Sequence, residues 1–168
     1  LENKPVDIAE LLEDAQTSFS GQAEAAGINL RLQIDGDPKN LTVCGDAGRL
    51  DQVLSNLVAN ALRYTPSGGS ITLHGDSEGE QVHISVRDTG VGIPPQELEY
   101  IFDRFWKGDR VRTHQKGAGS GLGLAISKKL VEAQGGDMCV ESQLGSGSMF
   151  IIELPLVKDG ELTERSVR

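Results

Sequence analysis

No run of 18 or more apolar residues occurs anywhere in the chain, so no segment reads as a membrane-spanning helix. No signal peptide is recognisable either. Positive charge is scarce as well. Lys and Arg number 16 against 25 Asp and Glu, for a net charge of −9. That balance argues against general nucleic-acid binding. It also sets a constraint: an acidic chain that binds a polyanion must gather cations locally or recruit a metal. Cysteine is limited to Cys44 and Cys139, both in expected strands and without zinc-ligand spacing, so buried thiols are the expectation. There is no internal repeat and no internal domain boundary. At 168 residues and 38% hydrophobic content the chain predicts one globular domain. A domain of that size buries roughly 70% of its unfolded surface.

What the chain does have is a glycine-dense loop running into an amphipathic helix, GAGSGLGLAISKKLVEAQ, over residues 117 to 134. Gly117, Gly119, Gly121 and Gly123 alternate with small or aliphatic residues. Leu122, Ala125, Ile126, Leu130 and Ala133 then recur at helical spacing, and Gly135 is a stop signal. Glycine lets a backbone come close to a ligand. The first turn of a helix adds unpaired N–H groups and partial positive charge, so the junction suits phosphate. Ser120 fits the N-cap. Taken alone, the signal is weak, and a flexible hinge before a core helix would be the favoured reading.

Two other stretches also want a nucleotide. Residues 5 to 26 predict a helix with an Asp7/Glu10 capping box and an apolar stripe from Ile8 to Ala26, and INLRLQI and LTVCG predict strands. Asp46 caps a second helix reaching about Tyr64. Leu50, Val53, Leu54, Leu57 and Ala61 form its buried stripe, while Asn56, Asn60 and Arg63 recur at i, i+4 and i+7. At 100° per residue this polar stripe lies roughly 110° from the apolar one, so it flanks the core. SITLHG and QVHISVR predict a hairpin through DSEGE, and its second strand runs into Asp88-Thr89-Gly90-Val91-Gly92-Ile93-Pro94. An acid at a strand end there meets two glycines that let the chain fold back. PQELEYIF predicts a short helix. Residues 103 to 116 predict a mobile loop carrying Arg104, Lys107, Arg110, Arg112 and Lys116 against the single acid Asp109 from 104 onward, a lid suited to phosphates. Phe102, Phe105 and Trp106 would anchor its base. MCVESQL and SMFIIELPL predict a last hairpin through GSG, and residues 158–168 a polar tail after a domain spanning 1–157.

In order and spacing, DQVLSNLVANALRYTP, DTGVGIP, IFDRFW, GSGLGLAISKKLVEAQGG and the late GSGSMFIIELP resemble the ATP-binding catalytic domain of a bacterial sensor histidine kinase. That domain is part of the GHKL clan shared with gyrase, Hsp90 and MutL. Each motif alone is weak; the ordered set is specific. The resemblance implies an α+β fold, a two-layer α/β sandwich of the Bergerat type. Its mixed, mostly antiparallel sheet is covered by three helices, with a mobile ATP lid. It implies that Asp88 accepts a hydrogen bond from the adenine amino group. Thr89, Gly90 and Gly92 would shape the base pocket, with Ile93 and Tyr64 against the ring. Asn60 would be the protein ligand to Mg2+, since its amide oxygen is a hard donor. Asn56 and Arg63 would sit near the phosphates, and these three would form the catalytic set. Gly117, Gly119, Ser120, Gly121, Leu122, Gly123 and Leu124 would wrap the phosphates. Phe105, Lys107 and Ser148 complete the expected nucleotide contacts.

Within the clan, ATP-hydrolysing members carry a glutamate four residues before the magnesium asparagine. Here that place is Asn56, an amide that cannot act as a base, which predicts poor ATP hydrolysis. The resemblance implies transfer of the γ-phosphoryl group to a histidine instead. None of His74, His83 and His114 fits the acceptor pattern, so a separate dimerisation and phosphoacceptor domain is expected before Leu1. Its further implications are ATP and ADP as ligands, a response regulator as indirect partner, a monomeric fragment of a homodimer, and a cytoplasmic position under an inner-membrane sensor. Neither nucleic acid nor membrane contact is expected of this segment. Two alternatives stand beside it: a related serine kinase acting on a protein partner, and a nucleotide-sensing module without transfer.

Overall fold

The structure is a computed structural model, and it describes residues 1–103 and 123–157. The described elements are β1 (Lys4–Asp7), α1 (Ile8–Ala25), β2 (Asn29–Ile34), β3 (Thr42–Gly45), α2 (Ala47–Tyr64), β4 (Ser70–Glu78), β5 (Gln81–Asp88), α3 (Gly123–Glu132), β6 (Asp137–Gln143) and β7 (Gly147–Pro155). The main sheet has the order β2-β4-β5-β7-β6. Only β2 and β4 run parallel; the other pairs are antiparallel. The three helices cover one face, which makes the expected two-layer α+β sandwich. Among the described residues, no helix is long and apolar enough to cross a membrane.

Period-two alternation sets the layers. Ile71 and Leu73 on β4, Val82, Ile84 and Val86 on β5, and Phe150, Ile152 and Leu154 on β7 point into the core. They meet Leu12 of α1, Leu50, Leu54 and Leu57 of α2, and Val131 of α3 in one cluster. Among the described residues no helix covers the opposite face of the sheet, whose side chains are mostly polar.

Local sequence explains the boundaries. Asp7 is the N-cap of α1, its side chain accepting from the Glu10 N–H at 3.2 Å. The helix therefore starts three residues after the expected position 5. The residues before it form β1, which pairs antiparallel with β3. Pro5 is tolerated there because β1 has a single partner strand. Past α3, the Gly136 N–H reaches the Val131 carbonyl and Gly135 (φ +83°) reaches Glu132, a Schellman stop. PQELEYIF forms only a 3-10 turn, Leu98–Tyr100, in place of a helix. Two consecutive prolines remove donors there, and so short a segment cannot repay helix nucleation. The hairpin strands β4 and β5 are longer than the sequence suggested and leave Gly79 and Glu80 as the turn. The buried-thiol expectation fails as well. Cys139 is exposed and Cys44 half-buried, because each lies on the outward phase of its strand.

Asp46 caps α2 by accepting from Arg49 N–H at 3.1 Å, and its other oxygen accepts from Glu2 N–H at 2.9 Å. These two backbone bonds, Glu2 first, hold its carboxyl below the ordinary value of 3.8. A carboxyl depressed on folding contributes stability above 3.8 that is lost as pH falls below it. Thermal melts should therefore show Asp46→Asn less stable than the unaltered chain at neutral pH, with the gap closing in acid below 3.8. The gap should narrow in high salt, because the site is solvent-exposed. A gap that persisted in acid would contradict the assignment.

Candidate functional site

Three elements converge around the end of β5. Asp88, its last residue, is 4% exposed. The alternation that buries Val82, Ile84 and Val86 continues one step and turns this carboxylate inward. Its Oδ1 accepts from the Gly90 N–H at 2.9 Å and the Ser148 N–H at 3.3 Å. Charge-assisted bonds to peptide N–H groups fix the carboxylate orientation. Thr89 takes the opposite phase and knits the strand end to β4, its Oγ1 accepting from Ser70 N–H at 2.9 Å.

The chain must turn tightly here. A Cβ on Gly90 would lie 2.4 Å from the Tyr64 carbonyl oxygen, so glycine permits this approach of α2 to β5. That carbonyl accepts from Val91 N–H at 3.3 Å. Gly92 (φ +75°) lies against the Gln143 carbonyl, and the Ile93 N–H donates to Ser142 Oγ at 2.8 Å. Ile93 and Tyr64 are both buried. Ser142 also donates to the Gly147 carbonyl and shares a 2.8 Å hydrogen bond with Ser148 Oγ. A cleft of about 480 Å3 beside this strand end is lined by Arg87, Thr89, Glu141, Gln143 and Met149, on the outward phase of their strands, as well as by Asp88 and Ser148, so it opens on the face of the sheet away from α2.

The second cluster lies on the same helix α2. Asn56 and Asn60 are half-buried and Arg63 is exposed, which matches a stripe flanking the core. Asn56 to Tyr64 spans eight residues, about 12 Å of helix rise. Asn56 Nδ2 donates to Ser127 Oγ at 3.0 Å, and Ser127 is 2% exposed on α3. A Cβ on Gly123 would fall 2.7 Å from Asn56 Nδ2. The first described turn of α3 is therefore seated on the asparagine face of α2, with Leu124 half-buried beside it. Among the described residues, Asn60 makes no side-chain hydrogen bond, leaving a hard amide oxygen beside this junction.

A model of the histidine kinase-, DNA gyrase B- and HSP90-like ATPases matches residues 45–158. The chain belongs to this ATPase family. Sensor protein SrrB of Staphylococcus aureus is 42% identical over 154 residues, covering 91% of this chain and 26% of SrrB. The ATPase domain described here thus spans about a quarter of the length of that curated relative. The nucleotide-free catalytic domain of histidine kinase ThkA superposes with a TM-score of 0.79 at 31% identity, covering 92% of this chain and 96% of the other. Full-length ShkA in complex with AMPPNP gives 0.81 at 35% identity, over 94% of this chain and 32% of ShkA. As a member of the family, the chain carries its ATP-binding fold.

In this ATPase domain, Asp88, Thr89, Gly90, Gly92, Ile93, Tyr64 and Ser148 gather at one end. Asn56 and Gly123 meet at the other, with Asn60 and Arg63 on the helix between. Phe105, Lys107, Gly117, Gly119, Ser120, Gly121 and Leu122, and with them the expected lid and the Ser120 cap, lie outside the described residues. Two partners escaped sequence reasoning. Ser142 was hidden in a strand. Ser127 had a signal that could have been used: with Leu124 and Val131 it occupies one helical stripe, so it is a hydroxyl at a core position. Ser127→Ala should cost about 1 kcal/mol of stability in denaturant unfolding, the usual price of one buried hydrogen bond. No change in the midpoint would show that the Asn56 contact is dispensable.

Proposed function

We propose that the chain binds ATP with Mg2+ and transfers its γ-phosphoryl group to a histidine on a separate dimerisation and phosphoacceptor domain. The observation that carries this reading is the buried Asp88 carboxylate, fixed by two peptide N–H groups at the end of the asparagine-bearing helix. That carboxylate would accept the adenine amino group. Asn60 would hold Mg2+, consistent with a hard amide donor. When bound, the ion would offset phosphate charge. Arg63 adds a cation at the C-terminal turn of α2. Asn56 stands where a hydrolysing relative would carry its base. Its amide donates to Ser127, so it positions and does not take a proton from water. Catalysis is then orientation and charge compensation: the γ-phosphoryl leaves ADP and bonds to an imidazole nitrogen.

The partners follow from that chemistry. One is the acceptor domain of a homodimeric sensor, with this segment monomeric on the cytoplasmic side of an inner membrane. The other is a response regulator acting on the phosphohistidine; ThkA has been solved in complex with response regulator TrrA. Mixing the chain with a histidine acceptor domain and γ-labelled ATP tests the reading. Acid-labile label on histidine is expected. Acid-stable label on serine would make it a serine kinase, and tight binding without label a sensing module.

A further inference from the structure

The face of the sheet opposite the helices carries a group of metal-ligating side chains that the nucleotide account leaves unused. His74 and Asp76 are two residues apart on β4 and both lie on the outward phase. His83 on β5 stands directly opposite Asp76 in the ladder, and Glu153 on β7 stands opposite His83. Asp35, just past β2, is fixed to β4 by its N–H to the Gly75 carbonyl at 3.0 Å. Strand register therefore brings together these five side chains, four from β4, β5 and β7 and one from just past β2.

The contacts are close. His74 Nε2 lies 2.6 Å from Asp35 Oδ2. His83 Nδ1 lies 3.3 Å from Asp76 Oδ1, and His83 Nε2 lies 3.4 Å from Glu153 Oε1. The ligand atoms of Asp35, His74 and Asp76 all fall within 4.8 Å of one another. Pairwise ion pairing accounts for each histidine meeting a carboxylate. It does not account for Asp76 lying within 4.8 Å of both members of the His74–Asp35 pair. Donors about 2.0–2.2 Å from a tetrahedral ion sit roughly 3.4 Å apart, so binding would separate the His74–Asp35 pair, now at 2.6 Å, and re-space the set around the ion. Its members are surface side chains, partly exposed, with the freedom to do so. Three carboxylates against two imidazoles, in a chain of net charge −9, supply an attractive field.

We propose that Asp35, His74 and Asp76 bind one divalent transition-metal ion of the zinc class, with water completing its coordination. Mixed imidazole and carboxylate donors select such an ion over Mg2+, which prefers oxygen ligands and retained water. The site is separate from the nucleotide. His83 precedes Asp88 by five residues on β5, about 16 Å, and faces the other side of the sheet.

Co2+ titration of the untagged chain without nucleotide, followed by visible absorption, tests the proposal. Saturation at one equivalent, reversal by Zn2+, and a raised melting temperature are expected. His74→Gln should weaken binding at least about tenfold and leave ATP affinity unchanged. Asp76→Asn should do the same, and as both side chains are on the surface neither variant should unfold. No saturable absorption, or an unchanged titration in His74→Gln, overturns the site. An intense near-ultraviolet thiolate band would place the ion on a cysteine and overturn it equally.

Discussion

Asp88→Asn should lower the affinity for ATP roughly ten- to a hundredfold and leave the fold in place. The carboxylate offers two acceptor oxygens; the amide offers one. Oδ1 is occupied by the Gly90 and Ser148 N–H groups. If the amide oxygen keeps those bonds, its NH2 group replaces the other carboxylate oxygen and, in the proposed pose, would confront the adenine amino group donor to donor. If the amide rotates, the NH2 group confronts the two peptide N–H groups. Either way a charge-assisted bond is lost, worth about 1.5–3 kcal/mol, and each 1.4 kcal/mol is about tenfold in affinity. The shape barely changes, so the melting temperature should move little. Displacement of a fluorescent nucleotide measures the ratio of dissociation constants. A ratio near one would remove Asp88 from base recognition.

Gly147→Ala should be the most damaging single-methyl change in the site. Gly147 has φ +116°, a region that L residues rarely occupy. Its Cβ would also lie 2.0 Å from the Asp88 carbonyl oxygen, a backbone atom that cannot swing aside. Overpacking of this kind costs about 1–3 kcal/mol and the backbone conformation about 1–2 more. A loss of about 2–5 kcal/mol in denaturant unfolding is expected. Because the collision is with Asp88 itself, nucleotide affinity should fall even under conditions where the variant stays folded. A loss below about 1 kcal/mol would mean that the turn relaxes freely.

The parts of this molecule that the sequence disclosed are those governed by local periodicity. The stripe from Leu50 to Ala61 and the Asp46 cap located α2 within a residue, and the alternation in β5 carried Asp88 to the buried phase. What it concealed depends on partners distant in the chain. Residues 5–7 of β1 were absorbed into the helix reading because only β3, far along the chain, makes them part of a strand. Asn56 and Ser127 are separated by 71 residues, so neither motif announces the other. Cys139 and the His74–Asp76 group turn on which face of the sheet is covered. That depends on how the three helices pack, and strand composition alone does not reveal it.

The central claim is a single ATP site built from the β5 end and the asparagine face of α2. Calorimetric titration of the isolated chain with ATP and Mg2+ tests it most directly. Saturable one-to-one binding, weakened by Asp88→Asn and by removal of the divalent ion, is the predicted result. Absence of heat and of any thermal shift at millimolar nucleotide would contradict it.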